Sequence, residues 1–216
     1  MKTILCYGDS NTWGFYYGTG GRFSPEERWP NIMQQLGSNF HVIEEGLNGR
    51  TAGHDDPNDD YPEARNGRKT LIPCLRSHYP LDLVIIMLGT NDMKAKFSMT
   101  ADAIAKDIGI LANMAWKDLC FHQGYEPKIL LAAPVLIAPT IETSPFGEEF
   151  GGERALPKSA ALADALRRTA ERCSCSFLNA AESSEANPID AIHLSRESHR
   201  SFGMAVAQKV QEIFAS

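Results

Sequence analysis

Ser10 stands in the tetrapeptide Gly8-Asp9-Ser10-Asn11, at the point where an apolar run ends. A serine hydroxyl is a weak nucleophile until a neighbouring base takes its proton. Taken alone, Ser10 could equally cap a helix or a turn, and Thr12 departs from the G-x-S-x-G pattern of a nucleophile elbow. The candidate base lies far along the chain. Asp190-Ala191-Ile192-His193 places a carboxylate three residues ahead of an imidazole. That spacing lets the carboxylate turn back onto the ring, fix its tautomer and stabilise the imidazolium. The other histidines, His122 among them, are less suited: His41 falls in a strand, His54 in an exposed loop, His78 on a helix face, and His199 inside the last helix. Attack on an acyl carbon develops an oxyanion, which needs preorganised donors at about 2.7–3.1 Å. Gly49 would let a backbone N–H approach closely, and the Asn91 amide offers a side-chain N–H, although Asn48-Gly49 and Thr90-Asn91-Asp92 also read as ordinary turns.

These residues matter together only if the fold brings them together. Lys2–Tyr7, Phe40–Ile43, Leu81–Leu88, Lys128–Ala132 and Ser176–Asn179 read as strands. Leu81–Leu88 is nearly continuous in apolar residues, the mark of a central parallel strand covered on both faces. Helical patterns lie between them: from Trp29-Pro30 to a stop at Gly37, from a cap at Thr70 through His78, over Ala101–Leu119, over Ala155–Arg172, and from Ser195 to Phe214. Asn48 to Lys69 and Pro134 to Arg154 read as long loops. The alternation predicts an α/β domain over residues 1–216, three-layered, with a five-stranded parallel sheet. With strand order 2-1-3-4-5, ligands sit beyond the strands' C-terminal ends where the order reverses. Ser10, Gly49, Asn91 and Asp190/His193 all follow strand ends on that edge.

The chain has 216 residues, with 21 Lys+Arg against 27 Asp+Glu, a formal net charge of −6. That balance argues against nucleic acid or an anionic membrane as partner, and no apolar run approaches the ~20 residues needed to span a bilayer. Met1-Lys2 leads directly into the first strand, with no room for the apolar region of a signal peptide, so a cytoplasmic location is expected. Five scattered cysteines do not suggest a disulfide framework and are read as thiols. Cys173-Ser174-Cys175 has no second pair at ligand spacing, so no metal is expected.

Gly8-Asp9-Ser10, Gly49, Gly89-Thr90-Asn91-Asp92 and Asp190-x-x-His193 resemble, in order, the four sequence blocks of the SGNH, or GDSL-type, hydrolases. The stretches Val42–Thr51 and Leu81–Asp92 resemble its arylesterase/acyltransferase branch. The resemblance implies a flavodoxin-like α/β/α sandwich without a cofactor. It implies Ser10 as nucleophile, His193 as base and Asp190 as its orienter, with the Ser10 and Gly49 N–H groups and the Asn91 side chain as oxyanion hole. It also implies an ester as small-molecule substrate, acyl transfer to alcohols or hydrogen peroxide, and a homo-oligomer. Asn11 departs from the family motif, which carries Leu there, and is expected to face the pocket and bear on acyl preference. Trp13, with Phe15, Tyr16 and Tyr17, is a candidate for lining the same pocket. Two rival readings keep the residues but change the outcome. One moves the substrate to thioesters or acetylated carbohydrate; the other makes the domain a non-catalytic flavodoxin-like binding module.

Overall fold

Lys2–Gly8 forms β1, and from Ile4 onward every residue of it is buried. Side chains alternate across a strand, and here both faces are apolar. Leu5 and Tyr7 enter one core, while Ile4 and Cys6 enter the other. The computed structural model describes residues 1–37 and 39–215. After β1 come α1 (Ser10–Trp13), a small antiparallel pair β2 (Phe15–Tyr16) and β3 (Gly21–Arg22), α2 (Trp29–Leu36), β4 (Phe40–Gly46) and α3 (Gly67–His78). The second half holds β5 (Leu83–Met87), α4 (Ala101–Gln123), β6 (Lys128–Ala133), α5 (Gly147–Phe150), α6 (Ala155–Arg172), β7 (Ser176–Asn179) and α7 (Arg196–Ala215).

The main sheet runs β4-β1-β5-β6-β7, all parallel. Counted over its five strands this is the expected order 2-1-3-4-5. Leu71 and Leu75 of α3, Ile104 and Ile108 of α4 and Leu162 and Leu166 of α6 cover one face. Trp29 and Met33 of α2, with Phe202, Val206 and Val210 of α7, cover the other. No described helix is long and apolar enough to cross a membrane, and all five cysteines are unpaired.

Most strand and helix ends shift from the sequence reading by a few residues, and three differences are larger or change a contact. β4 continues to Gly46 because Glu44, Glu45 and Gly46 pair with Cys6, Tyr7 and Gly8. α3 starts earlier, at Gly67, and its cap is Asn66, whose side chain accepts from the Arg68 N–H. Thr70 instead donates to the Asn66 carbonyl and meets the Tyr7 hydroxyl at 2.7 Å. The 134–154 stretch is not a bare loop: short helical turns at Pro139–Thr143 and Gly152–Arg154 flank α5, and Ile141 and Phe150 are buried.

The end of β4 lies almost in contact with the last residues of α1. A side chain at Gly46 would run into the Trp13 backbone, a neighbour that cannot rotate away. Overpacking of this kind costs about 1–3 kcal/mol. Gly46→Ala is therefore expected to lower the melting temperature by several degrees, at roughly 2–4 °C per kcal/mol for a chain this size. Calorimetry of the variant beside the wild type checks the shift.

Candidate active site

The chain leaves β1 at Gly8, and Asp9 caps α1 by accepting from the Asn11 N–H at 2.9 Å. Gly14 closes this single turn in the left-handed region, φ 87°, with its N–H on the Ser10 carbonyl. Ser10 is thereby fixed at the C-terminal edge of the sheet. At the other end of the sequence, Asp190 accepts through Oδ1 from the Ile192 and His193 N–H groups, at 3.0 and 2.9 Å. Its Oδ2 lies 3.0 Å from His193 Nδ1. The imidazole Nε2 lies 2.8 Å from Ser10 Oγ. With Nδ1–H donating to Asp190, Nε2 is the acceptor for the serine hydroxyl. Asp190 is fully buried and His193 and Ser10 nearly so. This is the geometry that makes a serine hydroxyl a usable nucleophile.

Asn91 and Gly49 arrive beside it. The Asn91 Nδ2 donates to the Arg50 carbonyl at 3.1 Å, with an Asp9 carboxylate oxygen 3.5 Å away. Gly49 has φ +80°, and a side chain there would strike the Arg65 guanidinium. Among the described residues, neither the Ser10 nor the Gly49 N–H has an acceptor within hydrogen-bond reach. Arg50 ties the two strand ends together, donating to the Gly8 carbonyl at 2.8 Å and to the Glu45 carbonyl. The remaining histidines stay apart. His54, His78 and His122 face Asp107, Glu45 and Asp118. His199 is enclosed, accepts from the Trp29 N–H, and is pushed down to about 3, chiefly by burial.

The sequence pattern of the GDSL-like lipase/acylhydrolase family matches residues 6–200. The chain belongs to that family. No curated protein matches the chain at a significant level. Among solved structures, a carbohydrate acetylesterase family member from Sinorhizobium meliloti superposes with TM-score 0.91 at 38% identity, covering 100% of both chains. The M. smegmatis aryl esterase, in its inhibitor-bound form, gives 0.88 at 38% identity over 98% of this chain and 99% of its own. A putative arylesterase from Agrobacterium tumefaciens str. C58 gives 0.88 at 36% identity over 99% and 100%. The chain is a carboxylic ester hydrolase of the GDSL-like family.

In this GDSL-like hydrolase the groups around Ser10 enclose a cavity of about 230 Å³. Its lining includes Phe15, Arg65, Lys94, Phe146, Glu149 and Ile192. The Phe15 ring centroid is 4.5 Å from that of His193, and Phe146 meets the imidazole edge-on at 5.5 Å. Of the four aromatics at Trp13, Phe15, Tyr16 and Tyr17, Phe15 alone is part of that lining. Trp13 is not; the Arg22 guanidinium covers its ring at 5.1 Å. Asn11 does not face the cavity either. Its side chain is buried and spends both polar ends on the His193 loop, Nδ2 on the Ile192 carbonyl and Oδ1 on the Leu194 N–H. No local sequence pattern marks Arg65, Lys94, Phe146 and Glu149 as lining residues; only tertiary contacts place them at the cavity. Lys94 Nζ pairs with Glu149 Oε1 at 2.8 Å. That ion pair joins the Asn91 loop to α5, so Glu149 reaches the rim of the cavity while its side chain stays about 40% exposed.

Two carboxylates are buried beneath the site. Burial pushes Asp9 up to about 6, against the bond from the Asn11 N–H and the positive charges of His193, Arg50 and Lys94. Burial pushes Asp92 up to about 7, helped by Asp107 and Asp9 and opposed by the Ala52 N–H. Below the ordinary carboxyl value of about 3.9, Asp92 is protonated in both the folded and the unfolded chain. As pH rises from there toward 7, the unfolded chain releases this proton first, so the contribution of Asp92 to stability is lost across that window. Asp92→Asn keeps an acceptor for Ala52 and removes the titration. Its stability, from urea midpoints at pH 4 to 8, is expected to fall with rising pH less steeply than that of the wild type, by up to about 1 kcal/mol per pH unit.

Proposed function

We propose that this hydrolase cleaves small carboxylic esters through an acyl-Ser10 intermediate. The observation that carries the reading is the continuous chain of bonds Asp190–His193–Ser10, with His193 Nε2 2.8 Å from the serine oxygen. Ser10 Oγ attacks the ester carbonyl carbon while its proton passes to His193 Nε2. The carbonyl π pair becomes the oxyanion charge, and Asp190 stabilises the imidazolium. Ser10 N–H, Gly49 N–H and one hydrogen of the Asn91 amide are the donors proposed for that charge. The second Asn91 hydrogen is held by the Arg50 carbonyl at 3.1 Å, and the amide's other contact, 3.5 Å to Asp9, is the long one that the oxyanion would replace. Preorganised donors of this kind act where charge develops and need no reorganisation at that moment. Collapse breaks the C–O bond, and the alcohol leaves with the proton from Nε2. Water, or a second alcohol, then attacks the acyl-serine as His193 again takes a proton. The freed acid, or new ester, departs and Ser10 regains its hydrogen.

The cavity of about 230 Å³ lies at the small end for ligand sites and supports short acyl groups. An acetyl group on a carbohydrate is the second reading, favoured by the full-length similarity to a carbohydrate acetylesterase family member. The unpaired thiols suit a reducing, cytoplasmic setting.

With p-nitrophenyl acetate as substrate, Ser10→Ala should lower turnover by at least ~10³-fold; equal turnover would return Ser10 to the role of a turn residue. Turnover should decline from acetate and butyrate to octanoate, and a preference for octanoate would contradict the small pocket. Asn91→Ala should lower kcat by about 10²–10³-fold with binding of a neutral ester little altered; an unchanged kcat would remove Asn91 from the set of oxyanion donors.

A further inference from the structure

We infer that Asn11 is a positioning residue that holds the His193 loop in register with Ser10. The inference rests on His193 acting as the base. Residues 190–194 need holding, because Ala191 has φ +69°, a conformation that residues with a side chain rarely adopt. Several bonds share that task. Asp190 Oδ1 takes the Ile192 and His193 N–H groups from one side. Asn187 accepts from the Ala191 N–H at 2.8 Å and donates to the His193 carbonyl at 2.7 Å, and the Ala138 N–H reaches the Ala191 carbonyl. Two backbone groups directly flanking His193 remain, the Ile192 carbonyl and the Leu194 N–H. One side-chain amide serves both: Asn11 Nδ2 donates to the first at 3.1 Å, and Asn11 Oδ1 accepts from the second at 2.8 Å.

Only a group with a donor and an acceptor on one planar fork can make that bridge. Leucine, the residue the family motif carries here, can make neither bond. The amide is itself fixed in place. Asn11 is buried, its N–H sits on the Asp9 carboxylate, and its carbonyl accepts from Trp29 Nε1 at 3.1 Å. Because Asn11 follows Ser10 directly, nucleophile and base are placed by adjacent residues of one turn. A small movement of α1 then carries His193 with it, and the Ser10–His193 separation is kept.

The test compares Asn11→Leu, which removes both bonds, with Asn11→Asp, which retains an acceptor for Leu194. Displacements on the ångström scale can cost about 10²-fold in rate. On p-nitrophenyl acetate, kcat is expected to fall about 10–100-fold in Asn11→Leu and less in Asn11→Asp, with KM within about twofold of the wild type. The low-field proton resonance of the His193 Nδ1–H is expected to shift or broaden in the same order. Wild-type kcat with an unshifted resonance in Asn11→Leu would overturn the inference. A rate loss accompanied by a lower melting temperature but an unmoved resonance would overturn it too, since that is the pattern of mere destabilisation. If Asn11→Leu does not fold, wild-type kcat and an unmoved resonance in Asn11→Asp overturn it. Full activity in Ser10→Ala would instead strike the serine mechanism on which the inference rests.

Discussion

A 2.8 Å contact joins Ser10 to His193 across 183 residues of sequence, and it tolerates little error in either partner. A hydrogen bond weakens steeply as distance and angle drift. Both residues therefore have to be fixed by elements that cannot move independently. Ser10 is fixed from β1, whose end is pinned to β4 by parallel pairing and by Arg50 bridging the Gly8 and Glu45 carbonyls. His193 is fixed by the tight loop before α7, and α7 packs across α2 through Phe202 and Trp29 at 5.2 Å. The topology brings both to the place where the sheet order reverses, which explains why residues so distant in sequence share one cavity.

The loop is expensive to build, and its polar groups show how the cost is offset. A buried peptide group without a partner costs about 1–3 kcal/mol, and each N–H and carbonyl flanking His193 has one. Asp190 and Asn11 supply most of these bonds from opposite sides. The same enclosure leaves Asp9 and Asp92 in surroundings that disfavour their charge. Both stand beside residues of the site, Asp9 as the cap that sets α1 and Asp92 through the Ala52 N–H. Stability given up close to a functional site is a familiar trade in proteins.

Much of this was legible in the sequence, for identifiable reasons. β1 and β5 are buried on both faces, so they stand out as apolar runs whatever the rest of the chain does. Ser10, Gly49, Asn91, Asp190 and His193 stand out because their spacing and order, rather than any single residue, carry the signal. What could not be read depends on contacts between distant segments. Asn11 follows Ser10, which suggests a pocket-facing side chain; only the arrival of the loop at Ile192–Leu194 shows what it bonds. The β2–β3 pair has two residues per strand and leaves no periodicity. Nor does any local pattern encode the pairing of Glu149 with Lys94 at the cavity.

The most direct measurement is covalent labelling with a diethyl aryl phosphate, followed by peptide mapping. A serine made nucleophilic by His193 should acquire one diethylphosphoryl group on Ser10 and none elsewhere. His193→Ala should slow that labelling by at least ~10³-fold while leaving the fold intact. Labelling on another residue, or equally fast labelling of Ser10 without His193, would contradict the proposed nucleophile and base.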